Sequence, residues 1–488
     1  MYTFIISLIA LVLGYLLYGR FVDRIMAPSK DAPTPASSRY DGVDYIAMPT
    51  WKVFMIQFLN IAGTGPIFGA IMGAKFGPAS YLWIVLGCIF AGAVHDYLSG
   101  MLSLRHGGCN LPTLIGTYLG ERTKSVMLVF AVILLLLVGA VFVYSPAVIL
   151  RDIAGNGSTT AFLIWVAVIF IYYIVATMLP IDKIIGKIYP LFAVALIFMA
   201  VALGVGLFVK WPHIPELWDG LQNRAPSLGV TGQPIFPCLF ITIACGAISG
   251  FHATQSPIMA RCLKSETLGR PVFYGAMITE GIVALVWAAV GSYFFFDGGA
   301  EELGSTAAAA APTVVTVVSK GWLGLVGGIL AILGVVAAPI TSGDTSLRSA
   351  RLIIAERLGF EQRSIRNRLM ICIPIFILVG LLLWYNVEDE DGFNTIWRYF
   401  GWANQTLAVF TLWAITVYLA TRKKGYYYLV TFIPACFMTS VCTTYIATAK
   451  IGFNLPMSWN VAIGVGVFIL SLVLFIIWRA KHPYKEIS

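Results

Sequence analysis

The chain has 488 residues, of which 59% are hydrophobic and only 11% charged. An ordinary soluble domain carries about 25% charged residues, so 32 basic and 23 acidic side chains are too few to cover water-exposed domains of this total size. With a mean hydropathy of +0.85, the composition excludes a soluble enzyme or a nucleic-acid-binding module. It points to an all-α polytopic membrane protein built as a single transmembrane domain. The net charge of +9 reads as an excess of Lys and Arg in cytoplasmic loops rather than the mark of an anionic partner.

In chain order, residues 1–19 are apolar without a basic n-region or an Ala-x-Ala site, and they are predicted to be a first membrane helix rather than a cleaved signal. Further apolar runs of helical length fall at about 52–74, 79–104, 124–149, 161–179, 187–210, 235–260, 272–296, 321–347, 369–387, 394–421, 427–448 and 459–479. About 13 spans are therefore predicted. Lys and Arg split 25 to 7 between alternate sides of these spans, which places the amino terminus outside and the carboxy terminus in the cytoplasm. The acidic stretches Glu388–Asp391 and Asp297–Glu302 fall on the poor side. The basic link 348–368 reads as a helix near anionic headgroups. The eight cysteines form no CxxC pair, and neither a disulfide framework, a zinc site nor a cofactor is expected.

Two spans carry interruptions. In the second, Asn60-Ile61-Ala62-Gly63-Thr64-Gly65-Pro66 combines permissive glycines with a proline that lacks a backbone donor. In the seventh, Cys245-Gly246-Ala247-Ile248-Ser249-Gly250-Phe251-His252 is followed by Ser256-Pro257. Broken backbone at membrane depth is tolerated where it is buried or lines a cavity. Either cluster alone reads as a packing kink. Together they sit five spans apart, an odd number, so spans 2–6 and 7–11 enter the membrane from opposite sides. That is the pattern of a 5+5 inverted repeat with discontinuous helices at the binding site.

Ionisable groups inside spans need a reason. His95-Asp96 lies in span 3, His252 at the break in span 7, Glu280 in span 8 and Asp344 at the cytoplasmic end of span 9. Asp344 follows Pro339 in Thr341-Ser342-Gly343-Asp344-Thr345, a set of hard oxygen donors suited to a sodium ion, or a carboxylate suited to a proton. The plainer reading pairs Asp344 with Arg348 or Arg351 at i+4 and i+7. Asp96 and Glu280 either relay protons or tie helices together by hydrogen bonds. Lys187 reads as a snorkelling side chain at the cytoplasmic face.

Gly63-Thr64-Gly65-Pro66-Ile67, His95-Asp96-Tyr97-Leu98-Ser99-Gly100-Met101, Ser249-Gly250-Phe251-His252 and Ser342-Gly343-Asp344-Thr345-Ser346-Leu347-Arg348 together resemble the carbon starvation protein A (CstA) family. Matching blocks run over about residues 1–400, and the chain looks like a short member of that family. The resemblance implies a bacterial inner-membrane secondary transporter of the amino acid/polyamine/organocation superfamily, with a LeuT-like fold. It also implies a link to peptide uptake in carbon starvation or to proton-coupled pyruvate uptake. On that reading residues 1–50 are an extra first helix and loop, 51–210 and 234–421 the two repeats, and 422–488 two carboxy-terminal helices.

The expected activity is ion-coupled import of a small carboxylate or peptide by alternating access, with no enzymatic step. Asn60, Gly63, Thr64, Gly65, Ser249, Gly250, His252, Thr254 and Gln255 are expected to line the substrate. Ala62, Thr341, Ser342, Asp344, Thr345, Asp96 and Glu280 are expected to handle a proton or sodium ion, with sodium at Thr341, Ser342 and Asp344. The expected partners are a small-molecule substrate and the lipid bilayer. Rival readings are a nutrient sensor that keeps a transporter fold, and a membrane redox protein with His95, His106 and His252 as haem or metal ligands.

Overall fold

The computed structural model describes residues 1–154, 157–179, 185–388, 392–482 and 484. Lys183, the side chain of Lys187, the acidic residues 389–391 and Lys485 lie outside the described residues. Among the described residues there are helices and no strands. They are labelled α1 (Tyr2–Met26), α2 (Thr50–Ile61), α3 (Gly65–Ala74), α4 (Ala79–Arg105), α5 (Leu111–Leu119), α6 (Glu121–Asp152), α7 (Thr159–Met178) and α8 (Tyr189–Lys210). The second half contributes α9 (Gly250–Ala260), α10 (Glu266–Phe296), α11 (Gly327–Leu358), α12 (Ile365–Glu388), α13 (Thr395–Arg422), α14 (Leu429–Thr448) and α15 (Met457–Lys481).

Eleven described helices are long and apolar enough to cross a membrane, and the bent pair α2 and α3 makes twelve. The remaining predicted span, the seventh at 235–260, is not one helix. A short helical stretch, 235–242, ends at Ile243, the backbone runs non-helically to Ser249, and α9 begins at Gly250. Hydropathy is continuous through this segment, which is why the sequence reads it as a single span. The backbone follows the glycines instead.

The core is formed by α4, α10, α11 and α13, whose membrane stretches are 83%, 89%, 72% and 72% buried, while α1, α7 and α15 are 28%, 28% and 17% buried and present apolar side chains outward. In water such faces would be aggregation-prone; in a bilayer they are the ordinary lipid contact.

Loops collect at two ends. At one end Arg39 and Arg261 donate to Gly107 O and Gly108 O, and Arg105 pairs with Glu266. At the other, the amino-terminal ammonium pairs with Glu216 and Lys210 pairs with Glu302 at 2.6 Å. This grouping agrees with the alternation that the Lys and Arg count predicts.

Candidate functional site

The first break is set by Pro66, which cannot donate to the preceding turn, and by the glycines on either side of Thr64. α2 and α3 meet at 54°. Beyond the bend, Gly65, Gly69 and Gly73 recur every four residues, one face of a helix. A Cβ at these positions would lie 2.3 Å from Cys245 Sγ, 2.7 Å from Thr242 O and 2.2 Å from Ile243. This bare stripe lets α3 pack directly on the second break, so the two interrupted segments touch.

The second break is held by groups from elsewhere in the chain. Trp83 Nε1 donates to Ile243 O at 2.9 Å and Gln405 Nε2 to Phe240 O at 3.1 Å, satisfying carbonyls at the end of 235–242. Asn404 Oδ1 accepts from Ser249 Oγ at 2.9 Å and from Phe251 N at 2.7 Å. α13 thereby supplies the cap that Ser249 does not give its own helix. Asn404→Ala is expected to cost about 1–3 kcal/mol, because it leaves a buried N–H and hydroxyl unpaired. Thermal unfolding in detergent measures it, and Thr411→Ala, whose hydroxyl donates only to its own helix at Leu407 O, serves as the comparison.

Span 9 meets the first break at Ser342. Its Oγ donates to Leu59 O at 3.0 Å, and a Cβ on Gly63 would lie 3.3 Å from the same hydroxyl. Asp344 is two residues on, about 200° around the helix, and faces away from the break. Its Oδ2 accepts from Tyr189 at 2.6 Å and its Oδ1 has no hydrogen-bond partner. The structure therefore separates Ser342 from Asp344, which the sequence groups in one ion site. Thr341 and Thr345 turn their hydroxyls to carbonyls of their own helix, which leaves lone pairs but no partner across the break.

The expected pairing of Asp344 with Arg348 or Arg351 does not form. Both guanidinium groups go to Asp44, with Arg348 at 3.2 Å and Arg351 at 3.1 Å from its carboxylate. Arg348 also donates to Ala176 O and Leu179 O at the end of α7.

His95, Asp96, His252 and Glu280 converge in one buried row. His95 Nδ1 lies 2.8 Å from Asp96 Oδ1, His252 Nδ1 2.9 Å from Asp96 Oδ2, and His252 Nε2 3.4 Å from Glu280 Oε2. All four are fully buried. Thr254 and Gln255 sit one turn along α9 with their side chains bonded to each other, and the Asn60 amide is buried without a partner. His106, by contrast, bonds to Leu102 O and Tyr118, so the three histidines of the redox reading do not converge.

Sequence reasoning missed Asn404, Tyr189 and Asp44. A polar Asn404-Gln405 pair inside an apolar span was the available signal for the first.

Comparison with solved structures places the fold. A manganese transporter of Eremococcus coleocola aligns with a TM-score of 0.59 over 91% of this chain and 98% of its own, at 11% identity. A Na+-coupled sialic acid symporter aligns with a TM-score of 0.53 over 99% of both chains, at 14% identity. The fold is that of the LeuT-like membrane transporters. Among relatives, an uncharacterized membrane protein of Haemophilus influenzae is 46% identical over 60% of this chain and 91% of its own length. A peptide transporter CstA of Campylobacter jejuni is 27% identical over 92% and 80%. A pyruvate/proton symporter BtsT of Escherichia coli is 25% identical over 90% and 80%. The family model for carbon starvation protein CstA matches residues 1–169, 158–322 and 298–446. The chain belongs to the CstA family and is a membrane transporter rather than an enzyme.

Proposed function

We propose that the protein is an ion-coupled importer of a small carboxylate-bearing carbon source, pyruvate or a short peptide, across the bacterial inner membrane. The observation that carries this reading is the direct contact of two unwound segments, one of them braced by Ser342 and the other by Asn404. The names of the relatives support the substrate class. Residues 51–210 and 234–421 act as inverted repeats that rock against each other, with the amino terminus outside and the carboxy terminus in the cytoplasm. N–H groups near Gly65 and Gly250 offer the helix-end dipoles that suit a carboxylate. Asn60, Gly63, Thr64, Ser249, His252, Thr254 and Gln255 orient it.

The driving cation binds between the first break and span 9, against the Leu59 and Ala62 carbonyls and Ser342, with Thr341 and Thr345 beside them. Asp344, anchored by Tyr189, adds negative charge behind that position. A cation drives accumulation only if it binds one of the two states better than the other. The test is uptake of labelled pyruvate and peptides into proteoliposomes, with proton and sodium gradients imposed separately; no accumulation under any gradient removes the reading. Ser342→Ala is expected to raise the half-saturating cation concentration about tenfold, equivalent to roughly 1.4 kcal/mol. An unchanged value removes Ser342 from the cation position.

A further inference from the structure

We infer that His95, Asp96, His252 and Glu280 form a proton-binding site, separate from the Asp344 region, in which His252 passes one proton between Asp96 and Glu280. The inference rests on the transporter reading and adds to it a proton site apart from the cation position at Ser342. It starts from the row of contacts described above, which joins α4, α9 and α10 through groups with no exposure to solvent.

The charge balance of this row requires bound protons. With both carboxylates ionised and both imidazoles neutral, two negative charges would be held out of water, at several kcal/mol per ion. Among the described residues no Lys or Arg pairs with either carboxylate. Asp96 and Glu280 have histidines as their ion-pair partners among the described residues. α1, α2 and α13 pack on the helices of the row and carry no Lys, Arg, Asp or Glu over 3–19, 53–61 and 399–421; farther along α1, Asp23 accepts from Tyr97 on α4 at 2.5 Å. Among the described residues, the thiols of Cys88 on α4 and Cys245 at the second break also feel Asp96 and Glu280, and the buried phenols on α4 and α10 bond elsewhere, Tyr97 to Asp23 and Tyr274 to Ile89 O. α11 contributes Asp344, which is turned to Tyr189 instead.

The row is also incomplete. Both Glu280 carboxyl oxygens, His95 Nε2 and His252 Nε2 lack hydrogen-bond partners, although His252 Nε2 and Glu280 Oε2 are 3.4 Å apart. A contact slightly too long for a hydrogen bond, between two groups able to share a proton, is closed by a shift of a few tenths of an ångström. α9 carries His252 and starts at the second break, so motion of that helix opens and closes the gap. On closure Glu280 gives its carboxyl proton to His252 Nε2, and His252 gives its Nδ1 proton to the Asp96 carboxylate. Glu280 is left ionised, Asp96 protonated and the imidazole neutral in its other tautomer. One proton has crossed from α10 to α4, and its position is tied to the conformation of α9.

Infrared difference spectra of the reconstituted protein, taken between acidic and alkaline buffer, test this without any transport substrate. The wild type is expected to show a protonated carboxylic carbonyl band that Glu280→Gln removes, and that Glu280→Asp retains with a shifted pH midpoint. Asp96→Asn is expected to move the midpoint of the Glu280 band. Absence of the band in wild type, or its persistence unchanged in Glu280→Gln, overturns the proton site. Because no substrate is present, that failure is distinct from a failure of the uptake assay, which addresses the transporter reading itself.

Discussion

Asp44→Ala is expected to unlatch one end of the protein, at a cost of about 3–5 kcal/mol for removing one partner of a buried ion cluster. Asp44 is 2% exposed, and Arg348 and Arg351 are 1% and 0% exposed. The loop that carries it is folded by Asp41, whose Oδ1 accepts from the backbone N–H groups of Val43, Asp44 and Tyr45 at 2.8–2.9 Å. Through Arg348 the same cluster caps the end of α7, and Arg368 adds a 2.6 Å bond to Met178 O. Loss of the carboxylate leaves two buried guanidinium groups facing each other. The nearby Cys262, fully buried and joined through its carbonyl to Met48 N, is expected to become reactive to maleimide in Asp44→Ala when it is the sole cysteine present. Unchanged labelling removes the latch.

The same residue sets a pH dependence. Burial pushes the Asp44 carboxyl up, but Arg351, Arg348 and Arg261 together outweigh it and hold the group below the usual carboxylate range. A carboxyl lowered in the folded state stabilises fully above its unfolded value and loses that contribution as the pH falls through its folded value. The latch is therefore expected to hold in mild acid and to open only below about pH 4. The unfolding temperature measured against pH checks this, and a fall setting in near neutrality contradicts it.

What the sequence could reveal divides along physical lines. The Gly63-Thr64-Gly65-Pro66 break was legible because its causes are local: a missing donor and permissive glycines in consecutive positions. The split of Lys and Arg anticipated which loops gather at each end, since topology acts on charge loop by loop. Asn404 escaped because its role, capping Ser249 and Phe251, joins residues more than 150 positions apart. Asp44 escaped for the same reason: it sits in a polar loop, and its burial depends on arginines more than 300 residues later. The i+4 rule gave Asp344 a partner in Arg348, yet helical spacing specifies a shared face and not which competing acceptor wins. The four groups of the His95–Glu280 row were each legible as costly membrane residues, while their convergence needed the packing of three helices.

Gly250→Ala is expected to abolish uptake and lower stability by about 1–3 kcal/mol or more, the range for forcing an extra carbon into a packed interior. Gly250 opens α9 directly after the break, packed against α13. A Cβ there would lie 2.4 Å from both Asn404 O and Ala408 N and 2.6 Å from the Leu407 side chain. Two of these three atoms are backbone, so no rotamer change relieves the clash, and α13 must move away as a unit. That displacement would pull Asn404 from Ser249 and Phe251 and leave the start of α9 uncapped. It would also carry His252, two residues on, out of register with Asp96 and Glu280. Gly204→Ala, on α8 with nothing within 4 Å of the added carbon, is the control and is expected to unfold at or above the wild-type temperature. Thermal unfolding with labelled-pyruvate uptake distinguishes the two. Wild-type behaviour of Gly250→Ala would show that α9 and α13 do not need this close approach.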